Sequence, residues 1–359
     1  MWDWWKCRDG AVADQRLYTQ MLNLVGRGKM IPIAFTLLKE MQDIFGSNLD
    51  AAPYNALISA LGRAGKPDAA LNLYRQMSSS EGSGKQVLCQ PTVVTYGAIM
   101  MTLVKAGRLG EAGEILNEMQ EAGCRPNLVV FNTLISGWGR KRHGQTEVEE
   151  LVAGMKRLCL MPDEVTYTAL LSAYSEWGLY ATVEALWTHA LGAGIRPDKA
   201  MYTSLITSRA RQGQVAGMEA VLGDMHMRGC QVDDVTTCVV AQGYFSKGQH
   251  QKADAFVEAQ KIREGFQPSA AVYNVMLRGY GKLGMMREME GVVSRMRGEG
   301  CRFNRISFEL LVKGYAEAGQ SNRAEATQRD MLAAGFMVRA ETGGTATDGE
   351  GRERRGRRW

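Results

Sequence analysis

Residues 162–171 read Pro-Asp-Glu-Val-Thr-Tyr-Thr-Ala-Leu-Leu, and the same order of residue types returns at 126–135 and 197–206. Each copy gives a proline, an acidic or amide residue, an aromatic residue, a small polar residue and then a leucine followed by leucine or isoleucine. The aromatic residues of the three copies are 36 and 35 positions apart. A fixed period of this size is typical of a solenoid of stacked repeats, which binds its partner along a groove.

The period divides most of the chain into nine units. Residues 1–14 precede them and are interpreted as the remains of an earlier repeat in a truncated chain. Residues 340–359 are rich in glycine and then arginine, which predicts a disordered basic tail. A Ser/Gly-rich insertion at 78–84 lengthens the second unit and favours a loop. The predicted units are 15–50, 51–92, 93–127, 128–163, 164–198, 199–233, 234–269, 270–304 and 305–339.

The pattern of residues within each unit predicts two helices. In the third unit, Tyr96, Ile99, Met100 and Leu103 have the spacing of one buried stripe on a first helix. A recurring glycine then suits a left-handed helix end. Its positions are Gly65, Gly107, Gly178, Gly213, Gly248, Gly284 and Gly319. A second helix follows, with an early alanine that permits close approach and a late methionine that fills the core. The sequence therefore predicts an all-α chain of helix–turn–helix units.

Composition limits the classes of partner. The chain is 45% hydrophobic and carries a net charge of +5, which is compatible with a nucleic-acid partner. No apolar run approaches the ~18 residues of a membrane span, so no membrane partner is expected. The seven cysteines contain no CxxC pair, so no zinc or other cofactor is expected. Cys124, Cys159, Cys230 and Cys301 are interpreted as one recurring packing position.

The whole pattern resembles a pentatricopeptide repeat (PPR) protein of the plain P class, of the plant and algal organellar type. The resemblance rests on the period, the Tyr-[Asn/Thr]-x-Leu-Ile opening, the Ala-Gly turn, the late methionine and the Pro-Asp close, over residues 15 to about 339. Tetratricopeptide repeats have a 34-residue period and a Trp-x-x-Leu-Gly-x-x-Tyr opening, which this chain lacks. The resemblance implies a right-handed superhelical solenoid that binds single-stranded RNA at about one base per repeat.

By this resemblance, the residue after the aromatic and the last residue of the unit together set the base preference. The implied pairs are Thr19–Asp50, Thr168–Asp198 and Thr203–Asp233 for guanine, Asn132–Asp163 for uracil, Asn274–Asn304 for cytosine or uracil, and Asn55–Thr92 for a pyrimidine. Three further pairs depart from the family's usual ones and receive no base: Gly97–Asn127, Cys238–Ser269 and Glu309–Arg339. The implied RNA runs parallel to the repeats and reads 5′-G-Y-N-U-G-G-N-C-N-3′.

The second residue of each unit is implied to clamp the bases between neighbouring repeats. These residues are Ala52, Val94, Val129, Val165, Ala200, Val235, Ala271 and Ile306, whereas Arg16 breaks the pattern in the first unit. Without the resemblance, ordinary core packing is the favoured interpretation of these apolar residues.

The thirteenth residue is basic in six of the nine units. The basic residues are Arg27, Arg63, Lys105, Arg140, Arg211 and Lys282, and the exceptions are Glu176, Ser246 and Glu317. A cation at each repeat would form a ladder of phosphate contacts. The alternative is a solvated helix end, where cations also favour the helix dipole.

Three functions are weighed. The first is a non-catalytic, sequence-specific RNA-binding protein of the chloroplast or mitochondrion that acts on RNA stability, processing, splicing or translation. Such a protein would be a monomer that binds an organellar transcript, and it could also bind other proteins of RNA processing. The second is a scaffold for protein–protein interaction, which has no need of the paired Asn/Thr and Asp/Asn positions. The third, an enzyme, requires a further domain, because the chain has neither the His-x-Glu nor the Pro-Cys-x-x-Cys site of an editing deaminase.

Overall fold

A computed structural model describes residues 14–28, 30–46, 49–78, 89–264 and 266–336. The predicted tail, nearly all of the Ser/Gly-rich insertion and residues 1–13 lie outside these ranges. Within them, every regular element is helical and no β-strand occurs. The all-α, helix–turn–helix prediction is confirmed. None of the helices in these ranges combines the length and the hydrophobicity of a membrane-crossing segment.

Eighteen α-helices follow one another in the described part of the chain. They are α1 (Gln15–Arg27), α2 (Ile31–Phe45), α3 (Ala51–Arg63), α4 (Pro67–Ser78), α5 (Val93–Lys105), α6 (Leu109–Glu121), α7 (Leu128–Trp138), α8 (Gln145–Arg157), α9 (Glu164–Glu176), α10 (Tyr180–Gly192), α11 (Lys199–Arg211), α12 (Val215–Met227), α13 (Asp234–Ser246), α14 (His250–Glu264), α15 (Ala270–Lys282), α16 (Met286–Gly298), α17 (Arg305–Glu317) and α18 (Ser321–Ala333). The odd-numbered helices are the first helices of the units, and the even-numbered helices are the second.

The helices form two compact blocks that divide after Val232. In the N-terminal block, the first helices α1, α3, α5, α7, α9 and α11 pack side by side in chain order. Each second helix packs on its own first helix. In the C-terminal block, α13, α15 and α17 pack in the same way, and α14, α16 and α18 lie against them. Because neighbouring units share their apolar stripes, each block is stabilised by stacking rather than by any single helix pair.

The core of each unit is built around the aromatic residue of the first helix. Tyr54, Phe131, Tyr167, Tyr202 and Tyr273 are all at most 2% exposed. The late methionines of the second helices are also buried, as predicted: Met41, Met77, Met119, Met225, Met296 and Met331. Where the aromatic is tyrosine, its hydroxyl often reaches a polar residue at the end of a second helix, which satisfies the one polar atom of the buried ring.

Three such tyrosines illustrate this arrangement. The hydroxyl of Tyr202 donates to Asp224 at 2.6 Å, and that of Tyr273 donates to Glu299. Burial, together with the Glu299 carboxylate, raises the pKa of Tyr273 to about 12. Tyr54 instead accepts a hydrogen bond from Gln42 of the preceding unit at 2.9 Å. Each of these bonds ties a first helix to a second helix of the same or the preceding unit.

Left-handed residues end most helices of the units, but the first helices of the first and fourth units are exceptions, since Gly28 has φ of −74° and Gly144 has φ of −94°. The seven glycines predicted to end the first helices all have φ between 68° and 78°. A second series ends the second helices, and it comprises Gly46, Gly123, Gly194, Gly229, Gly300 and Gly335. In the fourth unit, Cys159 occupies this second place with φ of 54°, and it is the one non-glycine with positive φ among the described residues.

The interpretation of four equivalent cysteines is therefore wrong for Cys159. Cys124, Cys230 and Cys301 each follow the left-handed glycine and are partly buried, whereas Cys159 stands in the glycine's place and is exposed. A side chain in the left-handed region meets its own backbone, at a cost of about 1–2 kcal/mol. Cys159 is thus a local point of backbone strain.

We expect Cys159→Gly to raise the free energy of unfolding by roughly 0.5–1 kcal/mol, because the strain removed exceeds the extra chain entropy that glycine loses on folding. Urea unfolding followed by circular dichroism measures the change. Gly194→Ala, at the same place in the next unit, is the matched control and should lower the free energy of unfolding by about 1 kcal/mol. A midpoint for Cys159→Gly below that of the unsubstituted protein would contradict this account.

Candidate nucleic-acid interface

The first helices expose their second residue along one face. Val94 is 66% exposed, Val129 60%, Val165 58%, Val235 60% and Ile306 48%. Ala52, Ala200 and Ala271 are exposed as well. The core-packing interpretation of these residues is therefore wrong. The buried stripe runs through the third and fourth residues of each unit, and the second residue lies about 100° away from the third. An apolar surface is left at the start of every first helix except α1, where Arg16 stands, and it is suited to the face of a flat ring.

The last residue of each unit caps the next first helix. Its side chain accepts a hydrogen bond from a backbone N–H in the first turn of that helix, one of the donors that a helix leaves unpaired. The capping residues are Asp50, Thr92, Asn127, Asp163, Asp198, Asp233, Ser269 and Asn304. The capping bond holds these side chains at the helix start, beside the exposed second residue. A Ser, Thr, Asp or Asn before an apolar run was the sequence signal for this role.

The pair assigned to uracil is in direct contact. Asn132 Nδ2 donates to Asp163 Oδ1 at 3.1 Å, and the backbone N–H of Thr166 donates to the same oxygen at 2.8 Å. Burial raises the pKa of the Asp163 carboxyl, but the hydrogen bonds from Thr166 and Asn132 outweigh it and hold the pKa below its usual range. The carboxylate is therefore ionised at neutral pH, and it can only accept hydrogen bonds.

The pair assigned to cytosine is joined in the same way in the C-terminal block. Asn274 Nδ2 donates to Asn304 Oδ1 at 3.2 Å, while the backbone N–H of Ser307 donates to that oxygen at 2.9 Å. The two asparagine pairs thus share one geometry, and they differ in whether the end residue is a carboxylate or an amide.

The threonine positions have a different chemistry. Thr19, Thr168 and Thr203 each donate their hydroxyl proton to the carbonyl four residues earlier, at 2.8 Å. The hydroxyl oxygen then offers lone pairs and no proton to a ligand. Combined with an aspartate at the unit end, such a threonine presents acceptors alone, which suits the N1–H and N2–H donors of guanine. Thr203 and Asp233 fall in different blocks, so their pairing stays a prediction.

The remaining reading positions are less complete. Asn55 Oδ1 is buried without a hydrogen-bond partner, and Gly97 has no side chain. Cys238 is half-buried, and burial raises the pKa of its thiol to about 11. Glu309 is exposed and bonded to Arg305 of its own helix at 2.7 Å. Arg339 lies outside the described residues.

One cavity brings together the three classes of predicted residue. It has a volume of about 240 Å³ and lies between α7 and α9, within the N-terminal block. Its lining includes the predicted clamp residue Val165, the predicted reading residue Thr168 and the basic residue Arg140, together with Ser136, Ser172 and the acidic Glu176. The cavity thus offers an apolar surface, a hydrogen-bond acceptor and a cation to one ligand.

The thirteenth-position cations are all exposed, but they are not equivalent. Arg211 donates to Glu176 Oε1 at 3.0 Å and to the carbonyl of Ser175 at 2.9 Å. Glu176 is the acidic residue that interrupts the series in the fifth unit. Within the described ranges, the other five cations form no ion pair: Arg27, Arg63, Lys105, Arg140 and Lys282. Five cations are therefore free for an anion, and one is already held by a carboxylate.

No metal site competes with this interface among the described side chains, since no three His, Cys, Asp or Glu residues are grouped to hold an ion.

Comparisons with known proteins agree with this architecture. The profile of the PPR repeat family matches residues 91–140, and that of the PPR repeat matches 52–81, 165–195, 200–230 and 271–301. A chloroplastic pentatricopeptide repeat-containing protein of Arabidopsis thaliana is 27% identical over 179 residues, which are 50% of this chain and 34% of that protein. A mitochondrial one from the same plant is 28% identical over 138 residues, which are 38% of this chain and 31% of that protein.

The fold is similar to that of maize PPR10. The crystal structure of PPR10 superposes with a TM-score of 0.61 at 24% identity, over 90% of this chain and 45% of PPR10. Its complex with an 18-nucleotide psaJ RNA element gives a TM-score of 0.51 at 22% identity, over 89% of this chain and 54% of the other. The chain spans between about a third and a half of the length of these proteins. With its repeating helix pairs and matched repeats, it belongs to the pentatricopeptide repeat family.

Proposed function

We propose that this protein binds single-stranded RNA sequence-specifically and acts without catalysis in RNA metabolism of a chloroplast or mitochondrion. The observation that carries the proposal is the cavity between α7 and α9, where Val165, Thr168 and Arg140 converge. The capped, paired polar residues along the first helices support the same reading mode. The organellar names of the Arabidopsis relatives and the RNA complex of PPR10 favour it further.

Each unit would take one nucleotide. The base would lie against the exposed valine, while the residue after the aromatic and the capping residue of the next helix would meet the base edge. The basic thirteenth residue would meet the phosphate. A P-class protein of this kind would act as a monomer that coats its segment of the transcript. It would thereby keep out nucleases or hold a site unfolded for processing, splicing or translation.

A mobility-shift titration tests sequence preference. The RNA is 5′-GUAUGGACA-3′ flanked by adenines, a version of the implied site. Changing the two central guanines to adenine should weaken binding at least about tenfold, since each mismatched base costs about 1–3 kcal/mol. Changing the adenines at the third and seventh places, which face Gly97 and Cys238, is the control and should leave the affinity nearly unchanged. Equal affinity for the guanine and adenine RNAs would rule out the proposed function.

A further inference from the structure

The third residue of two units carries a hydroxyl that bonds the reading asparagine of the unit before it. Thr166 Oγ1 lies 2.7 Å from both Asn132 Oδ1 and Asp163 Oδ1, and Ser307 Oγ lies 2.7 Å from Asn274 Oδ1 and 3.0 Å from Asn304 Oδ1. Each hydroxyl has one proton, and we assign it to the asparagine oxygen, because the end-residue oxygen already accepts two N–H groups. Thr166 and Ser307 are both 0% exposed. The two bonds occur in different blocks with the same donor position and the same acceptor atom. Neither hydroxyl was among the predicted site residues.

The direction of this network follows from fixed backbone donors. Asp163 Oδ1 accepts a hydrogen bond from the backbone N–H of Thr166. Because a carboxylate has no proton to donate, Asp163 must also be the acceptor in its bond with Asn132. Asn132 must therefore turn its Nδ2 toward Asp163 and its Oδ1 toward the Thr166 hydroxyl. The same argument holds for Asn274. The atom of Asn304 that faces the backbone N–H of Ser307 must be the amide oxygen, so Asn274 must turn its Nδ2 toward it. Each asparagine is thus held at both ends of its amide.

Uracil and cytosine differ at two adjacent atoms of the base edge. Uracil carries a donor at N3 and an acceptor at position 4, whereas cytosine carries an acceptor at N3 and a donor at position 4. An amide that is free to flip exchanges its own donor and acceptor, and can satisfy either base. Discrimination between the two pyrimidines therefore requires an amide held in one orientation.

We propose that Thr166 and Ser307 are specificity-determining residues of the fourth and eighth units, which hold the amides of Asn132 and Asn274 so that each unit distinguishes uracil from cytosine. This inference rests on the proposed RNA-binding function and adds a third residue to each reading pair. With the asparagine fixed, the end residue supplies the difference: the Asp163 carboxylate only accepts, whereas the Asn304 amide can also donate.

The second unit provides an internal contrast. Its reading residue is Asn55 and its end residue is Thr92. The third-position hydroxyl, Thr95 Oγ1, accepts the backbone N–H of Thr92 at 3.0 Å and lies 3.2 Å from Thr92 Oγ1. Asn55 Oδ1 is left buried without a hydrogen-bond partner. This amide is not held by the hydroxyl, so the second unit should discriminate poorly between the pyrimidines.

The test replaces Thr166 with valine, which keeps the shape and removes the hydroxyl, and with serine, which keeps the hydroxyl. Affinities are measured for four RNAs that carry U, C, A or G at the fourth nucleotide. The preference of the unsubstituted protein for U over C should fall roughly tenfold in Thr166→Val, because the buried Asn132 oxygen loses its donor. Thr166→Ser should retain the preference. Thr95→Val, which removes a buried hydroxyl that does not bond the reading asparagine, should leave the U-to-C ratio at the second nucleotide unchanged.

The outcomes separate the two proposals. A Thr166→Val protein that binds RNA and prefers U over C as strongly as the unsubstituted protein overturns the role of the hydroxyl and leaves RNA binding intact. An unsubstituted protein that binds none of the four RNAs overturns both proposals. If circular dichroism shows that Thr166→Val is unfolded, Ser307→Ala decides instead. Its C-to-U ratio at the eighth nucleotide should move toward one, and an unchanged ratio counts against the inference.

Discussion

Replacing the five unpaired thirteenth-position cations together with alanine will weaken RNA binding for every sequence and flatten its salt dependence. The five are Arg27, Arg63, Lys105, Arg140 and Lys282. On a single strand, each neutralised phosphate contributes about 0.7 to the slope of log K against log salt, so five contacts contribute about 3.5. Between 50 and 200 mM salt, this slope corresponds to a change in affinity of roughly a hundredfold. Fluorescence anisotropy at several salt concentrations measures the slope.

Single substitutions supply the control. Arg140→Ala should reduce the slope by about 0.7, whereas Arg211→Ala should reduce it less, because Glu176 already neutralises that cation. Glu176→Ala should release Arg211 and steepen the slope. The fivefold variant should keep its ratio of affinities for the guanine and adenine RNAs, because phosphate contacts carry no sequence information. If the variant with all five substitutions keeps the original slope of log K against log salt, these residues are solvated helix ends.

Tyr202→Ala will lower the free energy of unfolding by about 3–5 kcal/mol, the usual loss when a buried aromatic side chain is truncated. The ring of Tyr202 is 0% exposed and packs edge-on against Trp187, with ring centroids 5.2 Å apart. Its hydroxyl donates to Asp224, and that carboxylate also accepts a hydrogen bond from Arg228 Nε at 3.2 Å. Tyr202→Phe keeps the ring and removes one hydrogen bond, so a loss of about 1 kcal/mol is expected.

Urea unfolding monitored at 222 nm by circular dichroism compares these variants. Thr237 provides the matched control, because it stands in the aromatic's place in the seventh unit. Thr237 is 0% exposed, and its hydroxyl has no hydrogen-bond partner. Thr237→Val keeps the shape of the side chain and removes only this unpaired buried hydroxyl, so it should change the free energy of unfolding far less than Tyr202→Ala. A loss below about 1 kcal/mol for Tyr202→Ala would show that the aromatic stack is dispensable.

The helical units could be predicted because their signals are local. The stripe that begins at Tyr96 and the glycine at Gly107 act within a single helix or turn, and short-range spacing is enough to recognise them. The burial of Val165 could not be decided in this way. It stands one residue before the buried stripe, and a turn of about 100° separates the core from the open face. Only the packing of neighbouring first helices shows which side remains exposed.

The contacts between units required the fold. Arg211 and Glu176 are 35 residues apart, and their ion pair follows from the stacking of α11 on α9. The bond between Thr166 and Asn132 likewise joins two units, although Thr166 lies beside Asp163 in sequence. Cys159 was misplaced for a simpler reason. It lies four residues before the end of its unit, whereas Cys124 lies three before the end of its own.

The capping bonds limit which substitutions are tolerated at the last residue of each unit. In the described units, every residue at the reading end is Asp, Asn, Ser or Thr, and each starts the next helix. These are the side chains that initiate helices well, and exchanges among them leave the helix start intact. Under the proposed reading mode, a new base preference can therefore arise by a single substitution without loss of folding. In this mode, the base preferences that the protein can acquire are limited to those of side chains that can also begin an α-helix.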